Sequence, residues 1–329
     1  MTTVSTPRPA RSFRERLDGV AGFRVESLLV LAALGAIMAA LSPYFLSVSN
    51  FLNILLATSV IGVLAIGATF VISSAGIDLS LGSVLALAGV SGCVLMVNYP
   101  LPWPLGLLAC LAAGTAAGFV NGFLITRGKI PPFIVTLGML GVARGLALVI
   151  TNGLPVYGLP DPIVYLGQGR PFGVPAPVIV LLLSSLIAHI VLAHTRFGLY
   201  AQVIGDNEAA ARAMGIRVDR HKVWLYMLSG GLAGLAGLLF AARVNAGDPT
   251  AGLNYELTAI TATIIGGTNL FGGRGSVIGT LIGALIMGVL QNGLNLLAVP
   301  SFYQQMAIGA VLVLAVWLDR INGAEGRGR

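Results

Sequence analysis

Long apolar stretches, interrupted by Pro, Gly and charged residues, fill the sequence from Glu26 to Leu318. Crossing a hydrocarbon core of about 30 Å takes about 20 helical residues. Reading the runs against their breaks predicts ten helices, over 25–42, 51–73, 79–97, 103–126, 132–150, 176–194, 223–243, 255–270, 276–297 and 302–318. The pattern is that of an all-α polytopic membrane protein. It has one transmembrane domain over 25–318, tails at 1–24 and 319–329, and no stretch left for a sizeable soluble domain.

Two predicted helices are atypical. The 255–270 run is too brief for a full crossing, and 79–97 begins after a Gly-Ile-Asp break, so both are expected to be discontinuous. Spans five apart also resemble each other. Gly76-Ile-Asp78-Leu-Ser-Leu81 parallels Gly252-Leu-Asn254-Tyr-Glu256-Leu257, with Asp78 and Asn254 each placed to cap a helix start. Gly118-Phe-Val-Asn121-Gly122 parallels Gly288-Val-Leu-Gln-Asn292-Gly293 with one extra residue. Spans an odd number apart run in opposite directions, so an inverted repeat is expected, spans two to five against seven to ten. Glycines four apart, at 114, 118 and 122 and again at 275, 279 and 283, let helix backbones approach closely, within a bundle or across a dimer face.

Composition fits lipid as the solvent: 56% of the 329 residues are hydrophobic, 9% are charged, and mean hydropathy is +0.91. The net charge of +7 is concentrated rather than spread. Arg8, Arg11, Arg14, Arg16 and Arg24 precede the first span, and Arg196, Arg212, Arg217, Arg220 and Lys222 lie between spans six and seven. Cytoplasmic loops retain Lys and Arg, so both segments are expected inside, as are Arg127, Lys129 and a C-terminus carrying Arg320, Arg327 and Arg329. No aromatic-interleaved basic face points to nucleic acid. The run Ser27 to Leu41 is read as an uncleaved first span, not a secretory leader, because its polar lead is long and the chain stays hydrophobic afterwards.

Active transport needs an energy source, and the chain has no G-x-x-x-x-G-K-[ST] loop; its only lysines are Lys129 and Lys222. The stretch Gly266 to Ser276 lacks a strand and βαβ context and is read as a tight cytoplasmic turn. The loop 195–222 holds more. Asp206 and Asn207 can cap a helix, Glu208 suits its positive end, Ala209, Ala210, Ala211 and Ala213 favour it, and Gly215 can stop it. A two-turn helix results, suited either to docking on a cytoplasmic partner or to resting at the lipid interface.

Within the spans, charge is expensive and therefore informative. Arg144 sits mid-span, either on a pathway or paired with an acid, while Asp78, Arg243, Asp248 and Glu256 fall at helix ends. Asn121, Gln291, Asn292, Asn295 and Gln305 offer neutral donors and acceptors, suited to sugar hydroxyls or to interhelical hydrogen bonds. His189, His194 and His221 lack metal-ligand spacing, Cys93 and Cys110 lie in apolar spans, and no catalytic motif is present, so neither a metal nor an enzymatic role is expected.

Several motifs together carry a family resemblance. They are Ala75-Gly-Ile-Asp78-Leu-Ser-Leu-Gly82-Ser, Arg144-Gly with Thr151-Asn-Gly, Asn207-Glu-Ala-Ala-Ala-Arg-Ala-Met-Gly-Ile216, Pro249-Thr-Ala-Gly with Tyr255-Glu-Leu, Gly266-Gly-Thr through Gly273, and Asn292-Gly-Leu-Asn295-Leu-Leu297. From span two onward the chain resembles the ribose-type sugar permeases of bacterial ATP-binding-cassette importers. The resemblance implies an inner-membrane homodimer that docks on a cytoplasmic ATPase, receives a monosaccharide from a periplasmic binding protein and works by alternating access. ATP and Mg would be bound by the ATPase, with no cofactor in this chain. It also implies that Asn207 to Ile216 is the coupling helix, with Asp206, Asn207, Glu208, Ala211, Met214 and Gly215 at the contact. Many other importer permeases place Gly six residues after the Glu and a Leu-Pro beyond it. Here Gly215 is seven after Glu208 and no such Leu-Pro follows, as in the ribose-type branch. The alternatives are an ion-coupled secondary transporter, or an importer permease for nucleosides or branched-chain amino acids.

Overall fold

The structure, a computed structural model, describes residues 25–99 and 101–327; the basic tail 1–24 lies outside the described residues. The first five apolar helices are α1 (Val25–Leu41), α2 (Val48–Ser73), α3 (Leu81–Val97), α4 (Trp103–Thr126) and α5 (Pro132–Thr151). A connecting segment follows, with strand β1 (Val156–Tyr157) and the short helix α6 (Asp161–Gln168). Next come α7 (Ala176–His194), α8 (Arg196–Asp206), α9 (Glu208–Ala213), α10 (Val218–Val244), strand β2 (Ala246–Gly247), α11 (Tyr255–Ile265), α12 (Val277–Leu296) and α13 (Ser301–Arg327).

All ten predicted spans are present as helices. Six of them, α2, α4, α5, α7, α10 and α12, are long and apolar enough to cross a membrane. Both predicted short spans are short: α3 has 17 residues, about 26 Å, and α11 has 11, about 16 Å, against a core of about 30 Å. Each is preceded by irregular backbone. Residues 76–80 lead into α3, and the chain after β2 reaches α11 through Gly252 and Asn254, both at positive φ (67° and 64°).

Helix packing repeats with a shift of five spans. The pairs α3 with α4, α3 with α5 and α4 with α5 recur as α11 with α12, α11 with α13 and α12 with α13. Across the halves, α10 packs on α4 and α3 as α2 packs on α12 and α11, and α2 meets α10. This is the expected repeat, α2–α5 against α10–α13, with α1 and α7 outside it. The two discontinuous helices are therefore mates. They also meet: a Cβ on Gly82, in the first turn of α3, would lie 2.2 Å from the Gly252 carbonyl oxygen and 2.3 Å from a Glu256 carboxylate oxygen.

The glycine runs pack within the chain. A Cβ on Gly114 or Gly118 would sit 2.2 or 2.1 Å from the carbonyl oxygen of Gly230 or Tyr226 on α10, and one on Gly283 would sit 1.9 Å from that of Ala262 on α11. Buried hydroxyls join the helices further: Thr69 and Thr280 hydroxyls lie 2.7 Å apart, linking α2 to α12. Exposed apolar side chains such as Leu183, Leu186 and Ile187 on α7 and Phe133 and Leu137 on α5 give the bundle a lipid-compatible outer surface.

The structure adds elements that apolar runs do not signal. β1 and β2 pair antiparallel, Val156 opposite Gly247, and Asn245 accepts from the Leu159 amide (3.1 Å), tying 156–168 to the end of α10. The segment expected to hold one short helix holds two, α8 and α9. At the C-terminal end α13 runs to Arg327, past the predicted end of the last span at 318.

Candidate functional site

The loop between α7 and α10 is built from capping and ion pairs. Asn207 is extended (φ −155°, ψ 100°) and its side chain accepts from the Ala210 amide at 3.0 Å, starting α9. Asp206 does not share this role, because it is the last residue of α8 and its side chain lies toward Gly273 instead. Ala211 is fully buried against Ile204 and Val218, which fixes one face of α9. Gly215, at φ +82°, turns the chain, and the Ile216 amide donates back to Ala211 (3.1 Å), a glycine-dependent helix stop. Met214 is left 66% exposed.

Glu208 anchors α9 to α10. It accepts from Lys222 Nζ at 2.6 Å and from Arg212 at 2.9 Å, and Arg212 reaches on to Asp219. These partners, Lys222 foremost, hold the Glu208 carboxyl below the ordinary carboxylate range. Beneath α9, α8 ends among backbone. A Cβ on Gly205 would meet the Ser73 carbonyl at 2.1 Å, and the Gly273 amide donates to that same carbonyl at 3.1 Å. The end of α2, the end of α8 and the Gly-rich turn between α11 and α12 therefore form one joint.

Inside the bundle, Asp78 is buried two residues before the α3 N-cap, Ser80, and does not cap the helix itself. One carboxylate oxygen accepts from the Ser80 amide (3.0 Å) and hydroxyl (2.6 Å), the other from the Ser229 hydroxyl on α10 (3.1 Å). Asn121 on α4 donates to the Ser80 hydroxyl at 3.0 Å. One network thus fastens the irregular start of α3 to α4 and α10. Its repeat mate differs: Asn254 is the left-handed N-cap of α11 (φ 64°), and its side chain makes no cap bond.

Arg144, half-buried on α5, donates to the carbonyls of Pro249 (2.6 Å) and Ala251 (2.8 Å). Its hydrogen-bond partners are backbone carbonyls, so it is neither a free pathway position nor hydrogen-bonded to an acid across the bundle, and they hold the irregular approach to α11. Glu256 is buried beside the α3 start. Asn292 and Asn295 stand apart from this centre. Asn292 and Asn50 exchange two amide hydrogen bonds (3.0 and 2.8 Å) between α12 and α2, and Asn295 accepts from Gln304 at 2.8 Å. The structure thus gathers Asp78, Asn121, Arg144, Asn254 and Glu256 around the two helix breaks and leaves the α12 asparagines as interhelical ties. Sequence reasoning missed Asn50, Ser80, Ser229 and Lys222. Asn50, at the polar start of an apolar run and followed by Asn53, was the one available signal among them.

A helical membrane bundle of two repeats, whose broken helices meet at its centre, is the architecture of a transport permease. The chain belongs to the family described as branched-chain amino acid transport system / permease component, which matches residues 50–316. It is similar to the ribose import permease protein of Escherichia coli (strain K12), 46% identical over 298 residues, 89% of this chain and 92% of that one. It is also similar to the ribose import permease protein of Bacillus subtilis (strain 168), at 44% over 315 residues (94% and 97%). The D-allose transport system permease protein of Escherichia coli (strain K12) is 38% identical over 296 residues (90% and 91%). No solved structure matches the chain.

Proposed function

We propose that this chain is the permease subunit of an ATP-binding-cassette importer that moves a ribose-like monosaccharide across a bacterial inner membrane. The observation that carries the reading is the 46% identity to a ribose import permease over nine-tenths of both proteins. In this reading two copies form the translocation unit, a cytoplasmic ATPase binds ATP and Mg, and a periplasmic binding protein delivers the sugar. The permease performs no covalent chemistry. Both chain ends and the 195–222 loop face the cytoplasm, as the distribution of Arg and Lys supports.

α9 would act as the coupling element. Met214 offers an exposed apolar contact, the Glu208 ion pairs make α9 and the start of α10 move together, and the Ser73 joint passes displacement of α8 to α2 and to the turn before α12. Those helices flank the two breaks, where Asp78, Asn121, Arg144, Asn254 and Glu256 supply the polar groups of the pathway or its frame. The test is uptake by vesicles reconstituted with this chain, its ATPase and its binding protein. Ribose uptake should require all three and ATP. Uptake without the ATPase, or abolished by an uncoupler at constant ATP, would point to the ion-coupled carrier instead.

A further inference from the structure

A cavity of about 400 Å³ opens between α8, the turn after α9 and the first turns of α10, lined among others by Tyr200, Arg217, Arg220, His221 and Trp224. Arg217 and Arg220 are exposed, and among the described residues no side-chain hydrogen bond or ion pair engages either guanidinium. His221 is only 9% exposed, with its ring packed on Phe197 (centroids 4.7 Å apart) and Tyr200 (5.8 Å). Its Nε2 is buried and has no partner among the described residues. The positive end of the 27-residue α10 lies at the same place. Two free cations and a helix N-terminus converge on a space suited to an anion, with the buried His221 ring as part of its wall.

Trp224 also lines a second cavity of about 540 Å³, an apolar groove walled by Leu111, Val191, Leu228, Leu232 and Leu235. From Trp224 to Leu235 the groove runs about 16 Å along α10, matching the roughly 15 Å of one leaflet's hydrocarbon. A basic pocket meeting an apolar groove at an indole is the complement of an amphiphile with an anionic head. A free anion would leave the groove unused, and an acidic protein segment would not reach along it into the hydrocarbon.

We propose that this pair of cavities binds an anionic phospholipid, its phosphate against Arg217 and Arg220 at the first turn of α10 and an acyl chain in the groove along α10. The inference stands on this geometry and does not require α9 to be the coupling element.

Native mass spectrometry of the full chain in detergent, with phosphatidylglycerol or phosphatidylcholine added, tests it. Phosphatidylglycerol should be retained preferentially, and R217Q/R220Q should lower its retention about fivefold for each arginine removed. Both arginines are exposed, so the variant should fold, and an unchanged melting temperature checks that. L232W, which fills the groove, should weaken phosphatidylglycerol binding while leaving the arginines intact. Equal retention of the two lipids, or retention unaffected by R217Q/R220Q, would overturn the proposal. So would inorganic phosphate binding to the pocket with equal affinity in wild type and L232W while no lipid is held. Complete displacement of the lipid by the purified ATPase would assign the pocket to that partner, and a change in dimer fraction in L232W without lipid loss would assign the groove to a second copy; either result would also overturn it.

Discussion

Arg144 is a charged side chain within an apolar helix, and its two bonds to the Pro249 and Ala251 carbonyls offset part of the cost of placing it there. Arg144→Met should cost about 1.5–3 kcal/mol, the range for hydrogen bonds to a charged group, read as thermal unfolding in detergent. Arg144→Lys should lose less, since an ammonium can still reach one carbonyl. Equal stability of all three would deny Arg144 this role. Glu208 makes a pH-dependent contribution. Its carboxylate is held below the ordinary value, so its ion pairs are fully present above the unfolded Glu pKa of about 4.3 and are lost as pH falls through the lower folded value. The stability difference between wild type and E208Q should therefore be flat from pH 8 to about 5 and shrink below about 4. Solvent screening of this half-exposed group keeps the difference small, at about 1 kcal/mol or less. What the sequence hides at this scale is partnership. Asn50 and Asn292 are 242 positions apart, Ser229 and Asp78 are 151 apart, and Lys222 follows Glu208 by 14 with no helical spacing to link them.

At the scale of elements, close helix contact depends on absent side chains. Gly114 and Gly230 face each other, and a Cβ on either would lie 2.2 or 2.1 Å from the other's carbonyl oxygen, so G114A or G230A should cost about 1–3 kcal/mol by forcing α4 and α10 apart. Gly138 on α5 has open space, and G138A should be neutral or slightly stabilising within one chain. Melting temperatures of the variants check the contrast, and similar losses at all three sites would contradict it. The ten apolar helices were legible because lipid demands long runs and punishes breaks within them. α8 was not, since its mixed polarity gives no run, and α10 begins at Val218 instead of 223 because its polar first turn is stabilised by Asp219 pairing with Arg212. α6 was signalled only by Asp161-Pro162 at its start, an N-terminal signature too brief to outweigh the Gly and Pro around it. Asn207 was legible as a side-chain cap, whereas Asn254 holds the N-cap position without a side-chain cap bond, a difference its residue type does not signal.

Across the whole molecule, the two repeats place the broken starts of α3 and α11 against each other, while α8, α9 and the Gly-rich turn gather at the Ser73 joint. In the proposed coupling, motion applied at α9 would reach the centre through α2 and, by way of the Gly-rich turn, through α12. Such coupling requires α9 to lie on the cytoplasmic face and under a partner. The buried native thiols Cys93 and Cys110 leave a cysteine at Met214 as the reporter for an impermeant maleimide. The most direct measurement is labelling of M214C in intact cells and in inside-out vesicles, the latter with and without the ATPase. Labelling is expected in inside-out vesicles alone, suppressed when the ATPase is bound; labelling from outside intact cells, or labelling indifferent to the assembled ATPase, would remove the coupling role of α9.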